Sequence, residues 1–255
     1  MHFSPNSKRY SNDLDYFHDS VERVAQAYAA DHGQLVVNGY DVKVEMHQPG
    51  FVRAIISKAG HITKIEWAHD SAWRFMPPIY NATTGYQLHP IDVATNKVLA
   101  LAGRNEARDL LDVLDIHGEM LPLGALCWAA VGKDPGFTPL SLLELLKRRG
   151  KFRASDFAKL QTVESVDVVA LKGVWLEALE DAESFMEHMP PDDVGCLYYS
   201  PRSKLFVEPT LRDGVFVDEL VCHFGAPGGV LPQLYNGDVL ATTWKAEPAP
   251  KMTGQ

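Results

Sequence analysis

The sequence predicts a mixed α/β (α+β) protein, with a small sheet first, a helical region second and a short β-hairpin region last. Residues 13–17 and later runs ending at residue 68 show the period-two alternation that marks strands. Between residues 89 and 189 apolar residues recur at helical spacing instead. The turn Ser200-Pro201-Arg202-Ser203 then separates two short runs, as in a hairpin. The expected divisions are 1–88, 89–190, 191–246 and a disordered tail over 247–255.

The first strand, Asp13-Leu14-Asp15-Tyr16-Phe17, carries the most chemistry. Residues two apart on a strand project from one face, so Asp13 and Asp15 stand side by side while Leu14 and Tyr16 turn toward a core. Two carboxylates that close repel unless a cation sits between them, and paired oxygens suit hard ions such as Mg2+. A solvated edge strand with an acidic face is the alternative. Asp19 and Glu22 have capping-box spacing for a helix bearing Val21, Val24, Ala25 and Tyr28, which stops at Gly33 or runs on toward Asn38-Gly39. Strands follow over 41–46 and 51–57 about Gln48-Pro49-Gly50, and over 62–68 after a turn at 58–61. On the last of these Thr63, Ile65 and Trp67 share one face, and Lys64 and Glu66 the other. Glu66 is a third carboxylate for an ion held by Asp13 and Asp15, with Asp70 as the alternative. The polar face of a half-buried sheet also accounts for Glu66 taken alone.

His89-Pro90 opens a helix whose apolar stripe is Ile91, Ala94, Val98, Leu101 and Ala102, ending at Gly103. Lys97 falls beside that stripe, where its stem packs and its ammonium reaches toward a cleft. A second helix over 107–116 places Asp109 and Asp112 on one face, among Arg108 and Asp115. A solvated, salt-bridged surface explains that spacing as well. The apolar run over 120–132 is too short for a bilayer and reads as a buried helix. Thr138-Pro139 starts the next helix, which ends in the basic cluster over 147–153. A helix dipole and C-cap explain that cluster better than a nucleic-acid contact. A last helix spans 168–189 and is stopped by Pro190-Pro191.

The net charge of −9 argues against a surface coated for nucleic acid, though a local basic patch is compatible with it. Cys127, Cys196 and Cys222 are widely spaced, without metal-binding motifs, and read as reduced thiols of a cytoplasmic protein. No secretory signal or membrane span is visible.

Two stretches together resemble a known family. Arg9-Tyr10-Ser11-Asn12-Asp13-Leu14-Asp15-Tyr16-Phe17 is similar to the R-x-S-x-D-[IL]-D-[LYF]-F segment of the minimal nucleotidyltransferases of the AbiEii/AbiGii toxin type. The run from Asp92 through Lys97, Ala100 and Leu101 to Arg104 resembles that family's D-x-x-x-x-K-x-x-A-L-x-x-R helix. It is followed by Arg108-Asp109-Leu110-Leu111-Asp112, similar to its [RK]-D-x-x-D signature. The likeness covers about residues 8 to 116. It implies a polymerase-β-like nucleotidyltransferase fold, with a small mixed sheet followed by a helical domain. The implied activity moves a nucleotide from an NTP to a hydroxyl acceptor (tRNA or protein), with Mg2+ as cofactor. The implied context is a toxin with an antitoxin protein as partner. By the same resemblance Asp13, Asp15 and Glu66 hold the metal, while Lys97 and Asp109 are catalytic. Arg9, Ser11, Arg104 and Asp112 are the cofactor-binding residues it implies, with Arg9 and Arg104 adding positive charge near the triphosphate.

The family's Gly-Gly or Gly-Ser step, which cradles phosphates upstream of the acidic strand, has no counterpart here; the expectation is a chain that starts short of it, with a divergent member of weakened triphosphate binding as the alternative. Two other functions fit the same residues: a non-catalytic binding or scaffold protein that keeps the fold, and a metal-dependent phosphohydrolase.

Overall fold

Strand β1, Asp13–His18, begins the first layer of a computed structural model that describes residues 13–160, 162–163 and 165–233. It leads into helix α1, Val21–Val37. The cap is Ser20 rather than Asp19: its Oγ accepts the Arg23 N–H at 3.2 Å, while Asp19 pairs with the Arg23 guanidinium at 3.0 Å. The helix continues through Gly33 and stops before Asn38 and Gly39, whose φ of 76° suits glycine. Strands β2 (Asp41–Gln48), β3 (Phe51–Lys58) and β4 (His61–His69) follow, each longer than the alternation predicts.

The four strands form one mixed sheet in the order β1-β4-β3-β2, with β1 parallel to β4 and the other pairs antiparallel. Alternate residues explain its two faces. Ile65, Trp67, Val52, Ala54 and Ile56 are buried with Val24 of α1, and Leu14, Tyr28 and Val42 pack against them. Tyr16 is on this side as predicted, stacked on Trp67 at 6.4 Å between centroids, but it stays substantially exposed. The Trp67 indole donates to the Asp31 carboxylate of α1 at 2.8 Å, which satisfies the one polar atom of a fully buried ring.

The chain divides at Ala72. The sheet and α1 form one compact unit with a return over Ala158–Val166; the second holds Trp73–Phe157 and the chain from Asp167 onward. In the second unit three short strands, β5 (Trp73–Arg74), β6 (Ile79–Asn81) and β7 (Gly85–Gln87), precede six helices. These are α2 (Pro90–Gly103), α3 (Ala107–Glu119), α4 (Leu123–Lys133), α5 (Pro139–Arg149), α6 (Ala154–Phe157) and α7 (Val168–His188). The predicted stripe of α2 is buried in full: Ile91, Ala94, Val98, Leu101 and Ala102. Helix α4 is buried over nearly its whole length, as its apolar run requires. A Cβ on its Gly124 would lie 3.1 Å from the Ala182 Cα of α7, a tight contact that shows how closely these two helices approach. Thr138 caps α5 through a capping box with Ser141. Lys147 at its other end pairs with Glu144 and Glu183, each at 2.9 Å, which gives that member of the basic cluster a structural use. The described residues hold no helix long and apolar enough to cross a membrane.

Beyond α7 come β8 (Leu197–Ser200), β9 (Leu205–Val207), β10 (Leu211–Arg212), β11 (Val215–Phe216), β12 (Val221–His223) and β13 (Ala226–Pro227). The predicted hairpin is β8–β9, and β12 adds to its other edge in the order β12-β8-β9. β13 pairs back onto β5. The expected tail over 247–255 lies outside the described residues.

The start of α2 is built to be sensitive to acid. His89 is its N-cap, and its Nδ1 accepts the Ile91 N–H at 3.2 Å, so protonating that nitrogen removes the cap. Burial, then the nearby His223, lower the His89 pKa from 6.5 to about 4. A base whose pKa falls on folding favours the unfolded chain as it charges, so this contribution is lost as pH falls from 6.5 toward about 4. His89→Asn keeps a capping oxygen and does not titrate. Urea unfolding at pH 7 and pH 4.5 should show a smaller acid loss for the variant than for wild type; equal losses would count against this role.

Candidate functional site

The sheet face opposite α1 carries the predicted acidic residues. Asp13 and Asp15 lie on β1, and the parallel register sets Asp13 beside Lys64 and Asp15 beside Glu66 on β4. The antiparallel register sets Glu66 beside Arg53 on β3. Asp13, Asp15 and Glu66 therefore share one face, which is what alternation on two neighbouring strands demands. Asp70 stands apart, one residue past β4, with its Oδ1 accepting the Ser71 N–H at 2.8 Å.

Two cations that were assigned no part from the sequence stand among the carboxylates. Lys64 Nζ is 3.2 Å from Asp13 and 3.0 Å from Glu66, and Arg53 Nε is 2.7 Å from Glu66. Burial pushes the Glu66 carboxyl up, but bonds and charge from Lys64 and Arg53 outweigh it and the net direction is down. Burial likewise lowers Lys64, and its bonds to Glu66 and Asp13 reverse the direction. Glu66 thus stabilises the fold above the carboxylate range and loses that contribution as pH falls; Lys64 contributes below the amine range and loses it as pH rises. Asp15 is exposed on the same face.

Three carboxylates on one face are the right donor chemistry for a hard divalent ion. They are not a ready cage: the described residues hold no group of three or more His, Cys, Asp or Glu side chains placed to bind a metal. Lys64 already supplies positive charge between Asp13 and Glu66, which marks where a cation is stabilised. The oxygens of the three carboxylates are the donor type such an ion takes, and Lys64 already sits between two of them.

The helical unit holds a second cluster. Lys97 of α2 lies 2.7 Å from Asp112 and 3.9 Å from Asp109, both on α3. Arg104, just past α2, grips Asp109 with two bonds, Nε to Oδ2 at 2.8 Å and a terminal nitrogen to Oδ1 at 3.0 Å. Asp109 is 0% exposed and Asp112 3%, so the solvated charged surface is corrected: these acids sit on the buried face of α3 with Leu110 and Val113. Burial of that kind is tolerated only for paired charges. Arg108 Nε lies 2.8 Å from a Glu106 carboxylate oxygen.

Asp92, given no role by its place in the motif, is 2% exposed and accepts the backbone N–H groups of Phe75 at 2.6 Å and Met76 at 3.0 Å. Burial pushes its carboxyl up against those bonds. It fastens the chain after β5 to the first turn of α2. Arg9 and Ser11 lie outside the described residues. No protein-family model matches the chain, and neither a curated protein nor a solved structure matches it.

Proposed function

We propose that the chain is a Mg2+-dependent nucleotidyltransferase that moves a nucleotide from an NTP to a hydroxyl acceptor on RNA, tRNA or protein, in a polymerase-β-like fold. The observation that carries this is the convergence of Asp13, Asp15 and Glu66 on one face of adjacent parallel strands. Those three would hold the ion, which when bound neutralises phosphate charge and lowers the pKa of an attacking hydroxyl. Asp15 offers the most accessible oxygens. Lys64 holds Asp13 and Glu66 in place and keeps their charge balanced before ligand arrives. By the resemblance alone Lys97 meets phosphates or assists deprotonation of the acceptor, and Asp112 holds its ammonium at 2.7 Å. Nucleotidyl transfer asks mainly for alignment and charge neutralisation, so few side chains suffice. A toxin of this type, with an antitoxin protein as its partner in the cytoplasm, is the biological setting proposed.

The Lys64 and Arg53 pairs favour a second reading, a non-catalytic binding protein whose carboxylates are neutralised for stability alone. Titration calorimetry with Mg2+ and each NTP separates the two. Metal-dependent NTP binding that disappears in Asp13→Ala/Asp15→Ala supports the enzyme. Its absence both from the wild-type chain and from one extended upstream overturns the enzyme, and a Mg2+-independent partner complex unaffected by Asp13→Ala supports the alternative.

A further inference from the structure

Two of the three cysteines, far apart in sequence, meet in the helical unit. Cys222 is central in β12, directly across from Tyr198 of β8. Cys196 lies two residues before Tyr198, so alternation puts it on the same side of the strand pair, diagonal to Cys222. The Cys222 thiol is the foremost influence that raises the Cys196 thiol, so the two groups interact. They differ in access: Cys196 is buried and Cys222 half-buried, and both are free, as is the buried Cys127 in α4.

We propose that Cys196 and Cys222 form a reversible disulfide, a thiol-modification site whose co-reactant is a low-molecular-weight disulfide. Cys222 is the entry thiol because it alone has solvent access. Its thiolate, after losing a proton to solvent, attacks one sulfur of the small disulfide; that S–S bond breaks and a small thiolate leaves. The Cys196 sulfur then attacks the Cys222 sulfur of the mixed disulfide, and its proton passes to the second departing thiolate. The protein dithiol is oxidised by two electrons and the small disulfide is reduced to two thiols.

The geometry makes this bond labile rather than structural. Diagonal neighbours across antiparallel strands stand about 7–8 Å apart at Cα. A relaxed disulfide spans about 4.4–6.8 Å. Closing it draws Cys196 inward from a position one residue outside β8, after Gly195 at φ 89°. Strain of that kind makes a disulfide easier to reduce. Its interaction with Cys222, burial and the Asp193 carboxylate all raise the Cys196 thiol, which keeps Cys196 protonated and reduced until an oxidant reaches Cys222.

The test treats the full chain with oxidised glutathione at neutral pH, quenches with acid, and alkylates the denatured protein before intact-mass and peptide analysis. The expected product loses two hydrogens, takes one alkyl group instead of three, links the Cys196 and Cys222 peptides, and reverts with dithiothreitol. Cys196→Ser should instead retain one glutathione on Cys222, and Cys222→Ser should form no cross-link. A wild-type chain that keeps glutathione on Cys222 without closing, takes three alkyl groups, or links through Cys127 or a second chain overturns the proposal.

Discussion

Asp15→Asn is expected to lower nucleotide transfer by about 100-fold or more, the scale on which losing one preorganised charge-stabilising group acts, while leaving stability unchanged or slightly raised. Asp15 is exposed and faces Glu66 across the parallel pair, so removing its charge relieves a like-charge contact and breaks no described ion pair. The amide keeps the shape of the side chain and loses the anionic oxygen that a hard cation needs. Label from α-labelled NTPs, scored on bulk tRNA and on the protein itself, reads the transfer; thermal unfolding reads the fold. Asp70→Asn is the control, because Asp70 lies one residue past β4 and its Oδ1 accepts the Ser71 N–H. Wild-type transfer by Asp15→Asn, or an equal loss in Asp70→Asn, would remove the acidic face from the proposed chemistry.

What could be read in advance, and what could not, follows from how far each interaction reaches along the chain. Alternation at Asp13 and Asp15 and at Lys64 and Glu66 is local, so their faces were legible from spacing alone. The stripe of α2 was legible for the same reason. Pairing is not local. Nothing within β1 tells that β4 is its parallel neighbour, and only that register turns Lys64 and Arg53 into counter-ions of the acidic face. Caps failed by one residue: Asp19 and Ser20 are both good caps, and the choice fell to Ser20 because Asp19 engages Arg23. Asp92 at a helix start looks like an ordinary dipole partner. Its burial depends on the chain after β5 folding back to offer two N–H groups. The diagonal placement of Cys196 and Cys222 likewise needs β12 on the β8 edge, across a long separation in sequence.

The buried acids of α3 make the largest stability prediction. Asp109→Ala should destabilise the protein by about 3 kcal/mol, the lower end of the cost of breaking a buried ion pair. The lower end applies because the two partners fare differently. Arg104 is about half exposed, at 49%, and can turn to water when its two bonds to Asp109 are lost. Lys97 is 21% exposed and keeps Asp112 at 2.7 Å, so it is not stranded. What remains is a cavity at a fully buried position between α2 and α3, with lost packing around Leu110 and Val113. Urea unfolding followed by tryptophan fluorescence gives the difference. A double-mutant cycle with Arg104→Ala then gives the coupling, expected at about 1–3 kcal/mol for directly bonded residues. A loss below about 1 kcal/mol with no coupling would mean that the Arg104–Asp109 clamp does not hold α3 against α2. Lys97 would then be oriented by Asp112 alone.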